Sequence, residues 1–237
     1  MSLSTAQIKL VRSLREKKFR DRERLFVVEG EKMVAEALSS GLEVVAVYRT
    51  EEVGEALMQR LSALSSPPPA IAVLRKPSDS PEIHPEGLCL ALDSVRDPGN
   101  MGTIMRLSDW FAVDALYASA DSADVFNPKV IQASMGSVFR KRPVYCDLPE
   151  LCRLFREAGL RVFGTFLEGE NIYASDLPSE GLVVVGNEAR GISAEVSALV
   201  TDRITIPSFF APGQGPESLN VGIAAALSVS EFRRRTL

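Results

Sequence analysis

Three short stretches pair glycine, proline or asparagine with side chains that can bind an anion or hold a hydroxyl. The first is LDSVRDPGNMGTIMR, residues 92–106. Asp97-Pro-Gly-Asn100 reads as a turn in which Asn100 can cap the helix that follows. Arg106 comes six residues later, expected on the side of Gly102 and Met105. A guanidinium near a helix start matches a phosphate in shape and charge; its alternative is a surface ion pair. The second stretch is VVVGNEARGIS, residues 183–193. Gly186 and Gly191 have the spacing of a phosphate-binding loop, but Ile192 stands where such a loop needs lysine, which argues against a nucleoside triphosphate. What remains is a turn open enough for a ligand to reach main-chain groups, with Glu188 at its apex as a helix-start residue or a working carboxylate. The third is PSFFAPGQGPESLN, residues 207–220, running into the small-residue helix VGIAAAL. Pro207, Pro212, Gly213, Gly215 and Pro216 shape a loop. Ser218 is expected to cap the helix, and Asn220, whose amide donates and accepts, to lie in its first turn.

Each stretch follows an apolar run that reads as a strand: LCLAL, GLVVV and RITIP. Ligands of open α/β sheets sit beyond the carboxyl ends of strands, where these loops begin. LCLAL and GLVVV do not alternate apolar with polar residues, so the sheet is expected to be covered on both faces and mainly parallel. Helices are expected over 6–18, 51–64 and 218–234, among others, and strands at LFVVEG, EVVAVY and IAVLRK. The Pro- and charge-rich PSDSPEIHPEG suggests a linker over 77–87, which also holds His84 as a linker residue. The expected organisation is therefore an α/β chain with a small α/β unit over 1–76, the linker, and a larger α/β unit over 88–237.

The chain has 237 residues, 24% of them charged, with a formal net charge of -4, so it is not a generally basic nucleic-acid binder. The charge is unevenly placed. From Lys9 to Arg24 there are eight Lys/Arg (Lys9, Arg12, Arg15, Lys17, Lys18, Arg20, Arg22 and Arg24) against three acids. Such a stripe is either a solvated helix face with internal ion pairs or a docking site for a polyanion. No apolar run approaches the ~20 residues of a membrane span, and the first residues lack the apolar core of a signal peptide. Cys89, Cys146 and Cys152 fit neither a zinc site nor a redox motif, so no metal is expected and a reducing cytoplasm is the expected location.

Taken together, the three loops resemble the motifs of the SpoU/TrmH family of RNA 2′-O-ribose methyltransferases, in the SPOUT superfamily. The resemblance rests on N-x-G-x-x-x-R as Asn100, Gly102 and Arg106, on G-x-E-x-x-G as Gly186, Glu188 and Gly191, and on Ser218-Leu219-Asn220. It spans roughly 88–237, and LFVVEGEKMVAEAL resembles the RNA-binding domain that many members carry N-terminally. It implies a C-terminal trefoil knot, S-adenosylmethionine as cofactor and a homodimer. By the same resemblance Arg106, Asn100, Glu188, Ser218 and Asn220 would be catalytic. Thr165, Gly186, Asn187, Glu188, Gly191, Ile206, Pro207, Ser218, Leu219 and Asn220 would hold the cofactor, and the stripe from Lys9 to Arg24 would hold RNA, ribosomal in preference to transfer RNA. Because guanidinium groups stay protonated in proteins, Arg106 is better cast as a phosphate anchor than as a base. The sequence departs from the family in a longer loop before Ser218 and in Trp110, where a smaller residue is common. The alternatives are a silent RNA-binding or ribosome-assembly module on the same scaffold, a transfer RNA ribose methyltransferase and a base methyltransferase; a Rossmann enzyme lacks its glycine fingerprint.

Overall fold

The computed structural model describes residues 3–78, 82–210, 214 and 216–237. Pro212, Gly213 and Gly215 of the third stretch, and part of the 77–87 linker, lie outside the described residues. The first part of the chain runs α1 (Thr5–Ser13), α2 (Lys17–Glu23), β1 (Leu25–Glu29), α3 (Glu31–Ser39), β2 (Val44–Arg49), α4 (Thr50–Val53), α5 (Glu55–Leu61) and β3 (Ala70–Arg75). The second runs β4 (Leu88–Leu92), α6 (Pro98–Trp110), β5 (Ala115–Ala118), α7 (Pro128–Ser134), β6 (Val144–Tyr145), α8 (Leu148–Glu157), β7 (Val162–Asn171), β8 (Gly181–Val185), α9 (Ala194–Ser197), β9 (Asp202–Thr205) and α10 (Val221–Arg234).

Two expected helices are broken for identifiable reasons. The helix expected over 6–18 starts with a Ser4/Gln7 capping box but stops at Ser13. The Arg20 guanidinium donates to the carbonyls of Leu14 (2.9 Å) and Arg15 (2.7 Å), taking acceptors that a continuing helix would use, and α2 restarts at Lys17. The helix expected over 51–64 is split by Gly54, whose φ of 82° suits glycine and ends α4.

The small sheet is antiparallel, in the order β1-β3-β2. One face of β1 and β3 (Leu25, Val27, Ile71, Val73) packs in a cluster with Ile8, Val11, Leu14, Met58 and Leu61. The opposite face (Phe26, Val28, Ala72, Leu74) joins a buried cluster that runs on through α3 into Val125, Phe126, Val130 and Ile131 of the second part. The large sheet is parallel throughout, in the order β6-β5-β4-β8-β7-β9. Cys89, Ala91, Leu182 and Val184 face α8 and α9, while Leu90, Leu92, Val183 and Val185 share a cluster with α6, α7 and α10. Covering on both faces is what non-alternating strands require. β4 and β8 are neighbours though far apart in sequence, so their carboxyl ends form the point where the strand order reverses, the usual ligand position of such sheets.

Candidate functional site

At that point three loops meet through side-chain amides. Asn220 Nδ2 donates to Asn100 Oδ1 (2.9 Å), and Asn100 Nδ2 donates to Glu188 Oε1 (2.6 Å). The polarity of this chain is forced from one end. A carboxylate only accepts, so Asn100 must turn its NH₂ to Glu188 and leave its oxygen for Asn220. Asn220 then keeps its own oxygen free to accept from Gly222 N (2.9 Å) and Ile223 N (3.3 Å), which caps α10.

Both capping expectations are thereby corrected. Asn220, not Ser218, is the N-cap of α10, and Ser218 lies outside the helix, exposed. Asp97, not Asn100, caps α6: its carboxylate accepts from Asn100 N (2.8 Å), and Pro98 takes a first-turn position that needs no N–H donor. This leaves the Asn100 side chain free for the amide chain. Arg106 is also not on the side of Gly102 and Met105. Those two are buried, whereas Arg106 is exposed with Thr103 and with Trp110, which is 84% exposed. Among the described residues the Arg106 guanidinium has no hydrogen-bond or salt-bridge partner.

The Gly186–Gly191 turn is closed rather than open. Asn187 and Gly191 exchange both backbone hydrogen bonds (3.0 and 2.9 Å), and Asn187 Oδ1 accepts from Ala189 N and Arg190 N. A Cβ on Gly186 would lie 2.2 Å from the Gly191 carbonyl carbon, so the turn folds back over a position only glycine fills. Most of its N–H groups are spent internally; its role is to hold Glu188 out beside Asn100. Asn187 Nδ2 ties the turn to Ser94 O (2.8 Å).

Ser94 was not anticipated. It has φ 58° at the end of β4, a left-handed conformation unusual for serine, and is held there by a hydrogen bond from its N–H to Ser119 and from its hydroxyl to Asp121. Asp121 is pulled down to about 2 chiefly by its hydrogen bonds from Arg96 and Ser119. Asp93, buried beside it, accepts from Ser193 N (2.7 Å) and closes the far end of the second stretch. The signal for this brace was the polar run ASADS after β5, which mirrors the LDS after β4.

Of the remaining candidates, Thr165 Oγ1 donates to Val184 O (3.2 Å), placing Thr165 beside β8. Ile206 packs against the core, Pro207 is half-buried and Leu219 is exposed. In the basic stripe, Lys9, Arg12, Arg15, Lys17, Lys18, Arg22 and Arg24 are exposed. Several of them have intramolecular partners: Lys17 pairs with Asp21, Lys18 with Glu16 and Arg22 with Glu23. Arg15 donates to Leu61 O and Ser62 O, and Arg24 to Pro77 O. Arg20 departs from the expectation. It is 2% exposed and bound to Asp124 (2.6 Å), so it cannot touch RNA. Burial pushes the thiols of Cys89 and Cys146 up to about 11 and that of Cys152 up to about 12, which keeps them protonated. Among the described residues no helix is long and apolar enough to cross a membrane, and no group of three or more His, Cys, Asp or Glu could hold a metal ion.

This arrangement of amides and one carboxylate at a strand-order reversal coincides with known sequence patterns. Residues 87–230 match the SpoU rRNA Methylase family, and residues 5–75 match the MRM3-like substrate binding domain. The 23S rRNA (guanosine(2553)-2′-O)-methyltransferase RlmP of Bacillus subtilis is 29% identical over 248 residues, covering 98% of each chain. Among solved structures, a TrmH-family protein from Porphyromonas gingivalis superposes with TM-score 0.87 at 42% identity, over 99% of this chain and 100% of its own. An AdoMet-bound rRNA methyltransferase from Sinorhizobium meliloti gives TM-score 0.87 at 30% identity, over 100% and 97%. The match covers all three loops and the sheet that brings them together, and the chain belongs to the SpoU rRNA methylase family.

Proposed function

We propose that this protein is an RNA methyltransferase that uses S-adenosylmethionine to methylate a ribose 2′-hydroxyl, with ribosomal RNA as its substrate. The observation that carries the reading is the Glu188–Asn100–Asn220 chain, which joins three motifs 88 and 120 residues apart. Names of relatives and neighbours support both the cofactor and the RNA. The residues suit a cationic nucleoside: the hydroxyls of Thr165 and Ser218, the amide of Asn220, apolar Ile206, Pro207 and Leu219, one carboxylate, Glu188, and the Gly186–Gly191 turn, in which the internally bonded Asn187 holds that carboxylate in place. When bound, S-adenosylmethionine supplies a methyl group on a positively charged sulfur that an oxygen nucleophile can displace.

The protein's own contribution is mostly positioning, which can account for a large part of such a rate. Glu188 fixes Asn100, Asn100 fixes Asn220, and the two amides with Ser218 orient the ribose. Arg106, unpartnered among the described residues, grips the phosphate beside that ribose through its planar fork. The exposed cations of α1 and α2 hold RNA outside the site. The trefoil knot and the homodimer belong to the same reading. The dimer is supported by exposed apolar side chains on two helices that pack side by side, Trp110 on α6 and Ile223 and Leu227 on α10. A cytoplasmic location completes it.

Incubation with S-adenosylmethionine and either unmodified ribosomal or transfer RNA, then digestion and mass spectrometry, tests the reading. One 2′-O-methylnucleoside from ribosomal RNA, absent with Asn220→Ala, is expected. A product from transfer RNA alone would change the substrate. Methylation of a base, or no cofactor binding, would overturn the chemistry.

A further inference from the structure

Arg20 is the most deeply buried charged residue of the basic stripe, and its partner lies in the other part of the molecule. Its Nε and Nη2 both reach Asp124 Oδ2 (3.1 and 2.6 Å), and Asp124 is nearly buried. Asp124 precedes α7, and α7 packs on α6 so closely that a Cβ on Gly102 would fall 2.5 Å from the Ala133 Cβ. The path from Arg20 to the helix bearing Asn100 and Arg106 is therefore short and stiff. Two further ties run in parallel. The Phe26 ring lies tilted against Phe126 at 4.7 Å, with Lys76 over the Phe126 ring while its ammonium holds Asp21 (2.6 Å). Arg140 joins Glu36 of α3 (3.0 Å) to Asp109 of α6 (2.9 Å). The opposite side of α2 presents Lys18 and Arg22 to solvent, with both cations within 5 Å of the Phe19 ring centre (4.8 and 4.9 Å).

We propose that Arg20 and Asp124 are positioning residues: they lock the RNA-holding face of α2 at a fixed distance from Arg106, so that RNA gripped on α2 presents one nucleotide to the site. The proposal rests on the RNA reading above and adds a ruler to it. Two linked binding surfaces raise affinity only when their geometry allows both to engage together. A stiff connection supplies that geometry and limits which nucleotide reaches the site. Arg140, bonded to both Glu36 and Asp109, backs the same connection.

The test uses the full chain and an unmodified large-subunit ribosomal RNA transcript, with affinity measured by filter binding across a salt series. Asp124 is an acid whose carboxylate is taken up by Arg20. By charge alone, Asp124→Asn should tighten RNA binding; as a ruler, it should weaken binding about tenfold. The slope of affinity against salt should stay the same, because no phosphate contact is lost. Lys18→Ala, in contrast, should lower that slope. Arg140→Gln, at an exposed tie that leaves the buried pair intact, should weaken binding in the same slope-preserving way if Asp124→Asn does not fold. With turnover, both variants should raise the RNA KM, leave kcat within about twofold and spread 2′-O-methylation to neighbouring nucleotides, with cofactor affinity unchanged. Tighter or unchanged binding by a folded Asp124→Asn or Arg140→Gln protein overturns the ruler, as does parallel loss of cofactor and RNA affinity, which marks a purely structural pair. If the wild type transfers no methyl group, the enzymatic reading fails, while the binding series still decides the ruler.

Discussion

At the scale of single residues, the site is a polarity argument. Glu188 can only accept, and this sets the orientation of two asparagine amides in turn. Glu188→Gln should therefore do more than remove a charge. Its amide can face Asn100 with either end, so the chain loses its direction, and we expect kcat to fall by about tenfold to a hundredfold with little change in thermal stability, read by methyl-transfer kinetics and calorimetry. Arg106→Lys keeps the charge but loses the fork that matches a phosphate, so most activity should disappear while RNA affinity falls only modestly; near-normal turnover would remove Arg106 from the mechanism. A different kind of residue is Ser228, fully buried on α10 with its hydroxyl unpartnered among the described residues. Ser228→Ala should leave stability unchanged or raise it by up to about 1 kcal/mol, measured by denaturant unfolding.

At the scale of elements, glycines decide how closely segments approach. Gly102 lets α7 sit against α6: a Cβ there would lie 2.5 Å from the Ala133 Cβ and 2.7 Å from the Val130 carbonyl oxygen. Gly102→Ala should destabilise the protein by about 1–3 kcal/mol and also displace Arg106, because both sit on one helix. The last helix shows an electrostatic counterpart. Glu231 is 6% exposed, and hydrogen bonds from Arg234, with a further contribution from Arg235, hold its carboxyl down to about 2. A carboxyl depressed in the folded state stabilises it fully above the unfolded value, near 4.5, and this stabilisation is lost as pH falls toward 2. Asp21 and Asp121 shift the same way for the same reason, hydrogen bonds from Lys17 and from Arg96. Melting temperature should thus drop steeply between about pH 4.5 and 2, and Glu231→Gln should flatten part of that drop while lowering stability at neutral pH.

At the scale of the molecule, Trp110 on α6 and Ile223 and Leu227 on α10 are large apolar side chains left exposed on two helices that pack together. Patches of this kind mark association surfaces. Ile223→Glu should convert the proposed homodimer to a folded monomer by light scattering, with loss of methyl transfer but not of helical content. The buried Arg20–Asp124 pair shows the two parts of the chain to be docked through shared core and charge, and it turns a residue of the basic stripe into a joint between them.

How much of this could be read without coordinates follows from the range of each force. Apolar runs without alternation dictated a parallel sheet covered on both faces, because burial on both sides demands it, and the three motifs lay in the loops that leave its strands. Asn100, Arg106, Glu188 and Asn220 could be named for the same reason: their residue types and their place after strands are local facts. Capping was misjudged because a cap depends on which of several nearby oxygens reaches the free N–H groups. Asp97 and Asn220 win once Asn100 and Asn220 are held by partners 88 and 120 residues distant. The break in the first helix and the burial of Arg20 were hidden for a similar cause. A cation in a basic run looks solvated until a distant acid, here 104 residues away, supplies the charge that lets it be buried. Sequence by itself determined the sheet, the motifs and the residue chemistry; only the tertiary structure decided which groups meet, because pairing across long separations depends on packing that no local pattern encodes.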